Sequence, residues 1–137
     1  GHIFINHDWY GFDDAIFSAV ILTKIITDLD VSISELVNKI PSTHSTPELN
    51  LDVKDEEKFN MVEKFKSEME FPNADINTID GVRISINNSW ALMRASNTSP
   101  KLVLRFEGDT EDNLNQIKNL FENNFLKIFP DIKLDYH

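Results

Sequence analysis

The 137-residue sequence contains no cysteine, and it has few basic residues for its number of acidic ones. The absence of cysteine excludes disulfides, thiolate metal ligands and a cysteine nucleophile, and it is compatible with a reducing cytoplasm. Lysine and arginine number 13 against 23 aspartates and glutamates, which gives a net charge of −10. We therefore expect no nucleic-acid partner and no non-specific binding to anionic membranes.

The sequence also lacks a long hydrophobic run. Its longest apolar stretch, residues 15–26, is interrupted by Ser18, Thr23 and Lys24 and is too short to span a bilayer. No basic segment precedes it, as a secretory signal peptide would require. The prediction is a cytoplasmic protein without a membrane partner.

The remaining composition is typical of a globular protein, with 41% hydrophobic and 26% charged residues. A break comes at residues 41–47, Pro-Ser-Thr-His-Ser-Thr-Pro, where two prolines bracket small polar residues as in a hinge linker. Residues 1–40 predict one strand and two helices, which cannot form a sheet alone. We interpret them as the tail of a larger α/β domain, followed by a separate domain over residues 48–137.

Residues 48–137 predict an α+β fold with the element order β-α-β-β-β-β-α. The strands follow one another without crossover helices, which favours a mainly antiparallel sheet of four to five strands with two helices on one face. Asp80-Gly81 predicts a two-residue hairpin turn, and Thr110 predicts the N-cap of the last helix. The apolar spacing of that helix predicts a core face of Leu114, Ile117, Leu120, Phe121 and Phe125.

The elements before the linker can also be placed. Apolar spacing predicts a long helix from Ala15, followed by a short one. A short strand is expected at Ile3–Ile5. The candidate N-caps of the two helices are Asp13 or Asp14 for the first and Ser32 or Ser34 for the second.

Charge is unevenly distributed along the second domain. No carboxylate occurs between Gly81 and Phe106, whereas four basic residues do: Arg83, Arg94, Lys101 and Arg105. A local positive cluster in an acidic protein is a place where an anion can bind. The alternative is that these side chains pair with carboxylates nearby on the surface. Both interpretations are open from the sequence.

The segment Arg94–Pro100, Arg-Ala-Ser-Asn-Thr-Ser-Pro, joins two predicted strands and is dense in hydrogen-bond donors. Ser96 and Thr98 carry hydroxyls, and Asn97 carries an amide and tolerates left-handed backbone angles. Arg94 adds a planar guanidinium. A phosphate dianion needs several donors from different directions and one cation that binds it bidentately. The alternative is an ordinary strand connection that is polar because turns are polar.

Two stretches carry a resemblance to a known family. Residues 80–121 resemble the C-terminal domain of the α-D-phosphohexomutases, most closely the bacterial phosphomannomutase/phosphoglucomutase group. The Arg-x-Ser-Asn-Thr-x-Pro loop of that family stands here at Arg94–Pro100. Residues 1–26, which begin Gly-His-Ile-Phe-Ile-Asn and contain Tyr-Gly-Phe-Asp-Asp, resemble the end of its third domain.

The resemblance implies a fold and an activity. The fourth domain of the family has a TATA-box-binding-protein-like fold, and the parent enzyme is an isomerase of carbohydrate metabolism. It interconverts hexose 1-phosphate and hexose 6-phosphate through a phosphoserine and a hexose 1,6-bisphosphate intermediate, with Mg²⁺ held in the second domain. The phosphoserine and metal loops do not occur in this sequence. We therefore expect a C-terminal fragment that is inactive alone, binds no metal, and has the missing N-terminal domains and the hexose phosphate as partners.

The resemblance also assigns a phosphate-binding site. By position, Arg94 would pair with oxygens of the substrate's non-reacting phosphate, while Ser96, Asn97 and Thr98 would donate hydrogen bonds to them. Arg105, on the following strand, is a possible support for Arg94 or a partner of a nearby carboxylate.

His2 corresponds to the histidine at the sugar site of the family and is the candidate catalytic residue. The Glu and Ser that precede it in the family are absent here. A histidine at this position also arises as a remnant of cloning, but the continuation into the family pattern favours a native residue. The other histidines, His7, His44 and His137, share no ligand spacing, so no metal site is predicted.

Two alternatives are carried forward, and the sugar preference stays open. The phosphoglucosamine mutases resemble this chain but usually have Gly where Asn97 stands. A non-catalytic interaction module on the same fold is a second alternative. The preference for mannose or glucose depends on contacts that this sequence mostly lacks.

Overall fold

The computed structural model describes residues 2–136, and the chain divides into two compact units between Pro41 and Ser42. The division falls at the start of the segment predicted as a linker, residues 41–47. The assignment of that segment as a hinge stays a prediction.

The first unit contains helices α1 (Ala15–Leu29) and α2 (Ile33–Val37). Asp14 caps α1, because its carboxylate accepts a hydrogen bond from the backbone N–H three residues on, at 2.8 Å. Ser32 caps α2 in a capping box, in which the Ser32 hydroxyl accepts from the Glu35 N–H and the Glu35 carboxylate accepts from the Ser32 N–H.

The strand predicted at Ile3–Ile5 is reduced to an isolated bridge between Phe4 and Asp13. A strand needs a neighbour to pair with, and the described residues of this unit supply only that one pair. Neither α1 nor α2 has a buried residue.

The second unit has the predicted α+β fold, with two helices and six strands within the described residues. Its elements are β1 (His44–Ser45), β2 (Leu49–Asp52), α3 (Lys58–Glu68), β3 (Asp75–Asn77), β4 (Val82–Ile86), β5 (Ser89–Ala95), β6 (Lys101–Gly108) and α4 (Glu111–Ile128).

Every strand pair in the sheet is antiparallel, as predicted. The order is β1-β6-β5-β4-β3, and β2 also pairs with β6. The additional strand β1 lies inside the predicted linker, where His44 is opposite Gly108 and Ser45 is opposite Glu107. A two-residue strand has no sequence period, so the sequence could not predict it.

The core lies between one face of the sheet and the two helices α3 and α4. Alternate strand residues are buried on this face, and the aromatic rings of the helices pack over them, with the Phe65 and Phe121 ring centroids 5.0 Å apart. Thr110 caps α4 as predicted. Leu120 was predicted in its core face but is 37% exposed. The fully buried large side chains are Phe65, Phe106, Phe121, Phe125, Ile84, Met93, Leu102, Leu104, Ile117 and Val82.

The tight hairpin turn lies elsewhere than predicted. Strands β3 and β4 are joined by four residues, Thr78–Gly81, so the two-residue turn predicted at Asp80-Gly81 is wrong. The two-residue turn is Asn87-Asn88 between β4 and β5, with φ of 49° and 56°. Positive φ at both central residues is typical of a type I′ turn, and asparagine is among the few residues that accept it.

Candidate functional site

Strands β5 and β6 position the loop of residues 96–100 at one end of the sheet. Arg94 lies opposite Val103, and the Ser96 N–H donates to the Lys101 carbonyl oxygen at 3.0 Å, which extends the ladder by one pair. The Lys101 N–H in turn donates to the Ser99 carbonyl oxygen at 2.9 Å. Both ends of the loop are therefore fixed to the sheet.

The buried Ser96 side chain stabilises the loop by hydrogen bonds to its backbone. It is 7% exposed, and its hydroxyl oxygen accepts hydrogen bonds from the Thr98 N–H at 3.4 Å and the Ser99 N–H at 3.2 Å. Asn97 and Thr98 are exposed at the tip of the loop. This geometry gives the Ser96 oxygen a role in loop structure, and the prediction that its O–H donates to a phosphate stays a prediction.

Arg94 lies on the sheet face opposite the helices, since its neighbours Met93 and Ala95 are buried in the core. It is half-buried. Among residues 2–136 no carboxylate forms an ion pair with it, and the same holds for Arg83 and Arg105. The pairing with nearby carboxylates that the sequence left open is therefore not found in the part of the chain that the structure describes.

The other two arginines have different surroundings. Arg83 is exposed, and its guanidinium lies 4.5 Å from the centroid of the Trp90 ring. Arg105 is exposed and lies opposite Leu92, two residues further along the sheet than the Arg94–Val103 pair. Arg105 shares a sheet face with Arg94, but no hydrogen bond joins them.

The loop between β3 and β4 approaches Arg94 closely at Gly81. A Cβ atom on Gly81 would lie 2.2 Å from the Met93 carbonyl oxygen and 2.7 Å from Arg94 Cβ, and its φ is +75°. Only glycine fits both the contact and the backbone angle. A shallow pocket of about 90 Å³ lies beside it, lined by Phe59, Val62, Glu63, Lys66, Asp80, Gly81, Ala95 and Asn97.

Lys58 is a residue of the site that the sequence analysis missed. It is 4% exposed, and its ammonium donates to Asp55 Oδ1 at 2.6 Å and to the Ser99 carbonyl oxygen at 3.1 Å. The signal was present in the sequence, because Lys58 stands at core-face spacing from Met61, Val62 and Phe65 on α3.

His2 lies in the first unit, where it is exposed and hydrogen-bonded through Nδ1 to the Asp13 carboxylate. This hydrogen bond lowers the pKa of Asp13 below its ordinary value. Asp13, which the sequence offered as a helix cap, is therefore the partner of the predicted catalytic histidine instead.

No group of three or more histidine, aspartate or glutamate side chains that could hold a metal ion occurs among residues 2–136. None of the described helices combines the length and the apolar character needed to cross a membrane.

Comparison with known proteins identifies the family. The family model for the phosphoglucomutase/phosphomannomutase C-terminal domain matches residues 48–123, which contain the whole loop. The chain belongs to the phosphoglucomutase/phosphomannomutase family. Within it, a protein from Pseudomonas putida named phosphomannomutase/phosphoglucomutase is 44% identical over 136 residues, and a phosphoglucomutase from Neisseria meningitidis is 40% identical over 124 residues.

These matches cover most of the chain but only part of each relative. The P. putida match covers 99% of this chain and 29% of the relative, and the N. meningitidis match covers 89% and 27%. A crystal structure of a phosphoglucomutase/phosphomannomutase family protein from Burkholderia thailandensis is similar with a TM-score of 0.85 and 33% identity, over 97% of this chain and 28% of that one. This member of the mutase family thus spans less than a third of its relatives' length.

Proposed function

We propose that this chain is the C-terminal part of a phosphohexomutase and that residues 94–98 bind the phosphate of its hexose phosphate substrate. The single observation that carries the proposal is a half-buried arginine that pairs with no carboxylate among residues 2–136 and lies beside a loop tip of exposed donors. In an acidic protein, such an arginine is available for an anionic ligand.

Each residue of the loop has a separate task in this proposal. The Arg94 guanidinium offers two parallel N–H groups to two phosphate oxygens. Asn97 and Thr98 add a side-chain amide and a hydroxyl from the exposed tip. Ser96 holds the tip in shape through the two backbone N–H groups that its hydroxyl accepts.

The proposed reaction interconverts hexose 1-phosphate and hexose 6-phosphate. A phosphoserine elsewhere in the parent enzyme would supply the phosphoryl group, a hexose 1,6-bisphosphate would form, and Mg²⁺ would be held outside this chain. Binding of the non-reacting phosphate by the loop contributes remote binding energy that orients the reacting end of the sugar. The chain alone would have no mutase activity.

His2 is proposed to lie at the sugar site, as the family resemblance implies. The Asp13 carboxylate, which accepts its Nδ1–H, would fix the tautomer and leave Nε2 to accept a proton from a sugar hydroxyl. Residues 41–47 are proposed as the hinge that lets the C-terminal domain close over substrate.

The proposal is tested by titrating the chain with glucose 6-phosphate and with inorganic phosphate while recording ¹⁵N–¹H NMR spectra. We expect shifts confined to residues 94–98. Arg94→Ala should weaken the affinity about tenfold or more, because a charge-assisted hydrogen bond is lost. Arg83→Ala is the matched control, since Arg83 likewise pairs with no carboxylate in the described part of the chain but lies over Trp90. This variant should bind as the parent chain does.

Two results would overturn the proposal. One is the absence of any shift at residues 94–98 up to tens of millimolar of either anion. The other is an equal loss of affinity in Arg94→Ala and Arg83→Ala, which would indicate a general charge effect in place of a site.

A further inference from the structure

Lys58 occupies a position that disfavours a lysine. It is the only charged side chain that is buried among residues 2–136, and it stands on the core face of α3. It is also the first residue of that helix, where the positive end of the macrodipole repels a cation. A methionine would fill the same space without the cost of burying a charge. The ammonium therefore needs an explanation beyond packing.

The Lys58 ammonium has two hydrogen-bond acceptors, one in the segment before α3 and one in the loop of residues 96–100. It donates to Asp55 Oδ1 at 2.6 Å, which compensates its charge, and to the Ser99 carbonyl oxygen at 3.1 Å. Ser99 lies 41 residues further along the chain. The segment before α3 adds a second link to the loop, because the Val53 N–H donates to the Pro100 carbonyl oxygen at 3.0 Å.

Ser99 is thus held through both of its backbone groups. Its N–H donates to the Ser96 hydroxyl oxygen at 3.2 Å, and its carbonyl oxygen accepts from Lys58 and from the Lys101 N–H. Only Asn97 and Thr98 lie between the fixed residues 96 and 99. The two tip residues accordingly have little freedom to move relative to the sheet.

We propose that Lys58 is a positioning residue for the loop, which fixes Ser99 so that Asn97 and Thr98 are preorganised for the phosphate that Arg94 binds. The phosphate part of this inference rests on the proposed function above. A loop that is ordered before binding loses less conformational entropy when the ligand arrives, so its affinity is higher. Lys58 itself does not contact the ligand.

The test compares the parent chain with Lys58→Met, which keeps an unbranched side chain one heavy atom shorter and removes the charge. Two quantities are measured by NMR: the backbone order parameters of residues 97–99 without ligand, and the affinity for inorganic phosphate. We expect lower order parameters at those residues and an affinity that is about tenfold weaker. Lys64→Met is the matched control on the same helix, because the Lys64 ammonium donates to the carbonyl oxygen of Ile128 at the end of α4.

Two results distinguish a positioning role of Lys58 from a purely structural one: the behaviour of Lys58→Arg and the stability of Lys58→Met. Lys58→Arg should restore most of both quantities, since it returns a cation that can donate to Ser99. A Lys58→Met variant that loses stability but keeps the parent's order parameters at residues 97–99 and its phosphate affinity would overturn the proposal.

Two further cases are covered: a Lys58→Met variant that does not fold, and a parent chain that does not respond to phosphate. If Lys58→Met does not fold, Lys58→Gln replaces it, because it removes the ammonium that donates to Ser99 while keeping a polar side chain, and unchanged order parameters at residues 97–99 would then contradict the proposal. If the parent chain shows no response to phosphate, the proposed function fails, whereas the order parameters still decide whether Lys58 positions the loop.

Discussion

Gly81 shows how one residue sets the distance between a loop and a neighbouring strand, β5. Its position against the Met93 carbonyl oxygen and Arg94 Cβ leaves no space for a side chain. We expect Gly81→Ala to lower the free energy of unfolding of the second unit by about 2–4 kcal/mol, because it combines a backbone clash with an unfavourable positive φ. Chemical denaturation followed by circular dichroism measures the change.

Gly81→Asn separates the two causes. Asparagine tolerates positive φ but carries a Cβ, so it should destabilise the unit nearly as much as alanine does. Recovery of the parent's stability in Gly81→Asn would show that the close approach to β5 is not the constraint.

Some residues of the site could be predicted from the sequence and others could not. The many hydrogen-bond donors of Arg94–Pro100 indicated this loop as a candidate phosphate-binding site. The buried lysine was not predicted, because its partner Ser99 is 41 residues away and such a contact leaves no local pattern. The hydrogen bonds that the Ser96 oxygen accepts from the Thr98 and Ser99 N–H groups were not predicted either. They depend on the path of the backbone, which composition does not specify.

At the scale of elements, the β4–β5 hairpin depends on its two left-handed asparagines. We expect Asn87→Ala to lower the free energy of unfolding by about 1 kcal/mol, since alanine does not favour a φ of 49°. Asn87→Gly should show no loss, because glycine accepts this angle freely. Thermal unfolding of the two variants checks the prediction, and equal destabilisation by both would indicate that the Asn87 side chain has another role.

The elements with strong periodicity were predicted well. Both helices of the second unit, the antiparallel pairing and the Thr110 cap follow from apolar spacing and capping chemistry. The two-residue turn was predicted at Asp80-Gly81, and none was predicted at Asn87-Asn88, because Asp80-Gly81 is the stronger turn signal in the sequence. The strand register places the two-residue turn at Asn87-Asn88. Register depends on contacts along whole strands, which a local turn signal does not report.

At the scale of the molecule, the first unit exposes an unusual amount of apolar surface. Helix α1 is apolar on more than one side, with pockets of about 420 and 500 Å³ along it, and such helices are normally buried in larger proteins. Exposed side chains include Ile16 at 81% and Val20 at 58%. This agrees with a chain that spans 29% of its P. putida relative's length.

We therefore expect the chain to bind the dye ANS through α1. The double variant Ile16→Glu/Val20→Glu should remove most of the fluorescence, because it places charge on the apolar face. Ile79→Glu is the control, since Ile79 is 91% exposed but lies in the second unit. Fluorescence that falls equally in both variants, or is absent from the parent chain, would contradict this expectation.

The arrangement of the sheet also constrains the order in which it assembles. Strand β6 pairs with β5 on one side and with β1 and β2 on the other, and Thr46 contacts Phe106, 60 residues later in the chain. During synthesis on the ribosome, β1 and β2 therefore remain unpaired in the sheet until β6 has emerged. The β5–β6 hairpin, which carries the loop of residues 96–100, closes before β1 and β2 pair with β6, because its contacts are more local. The early strands then complete the sheet after the loop of residues 96–100 has already formed.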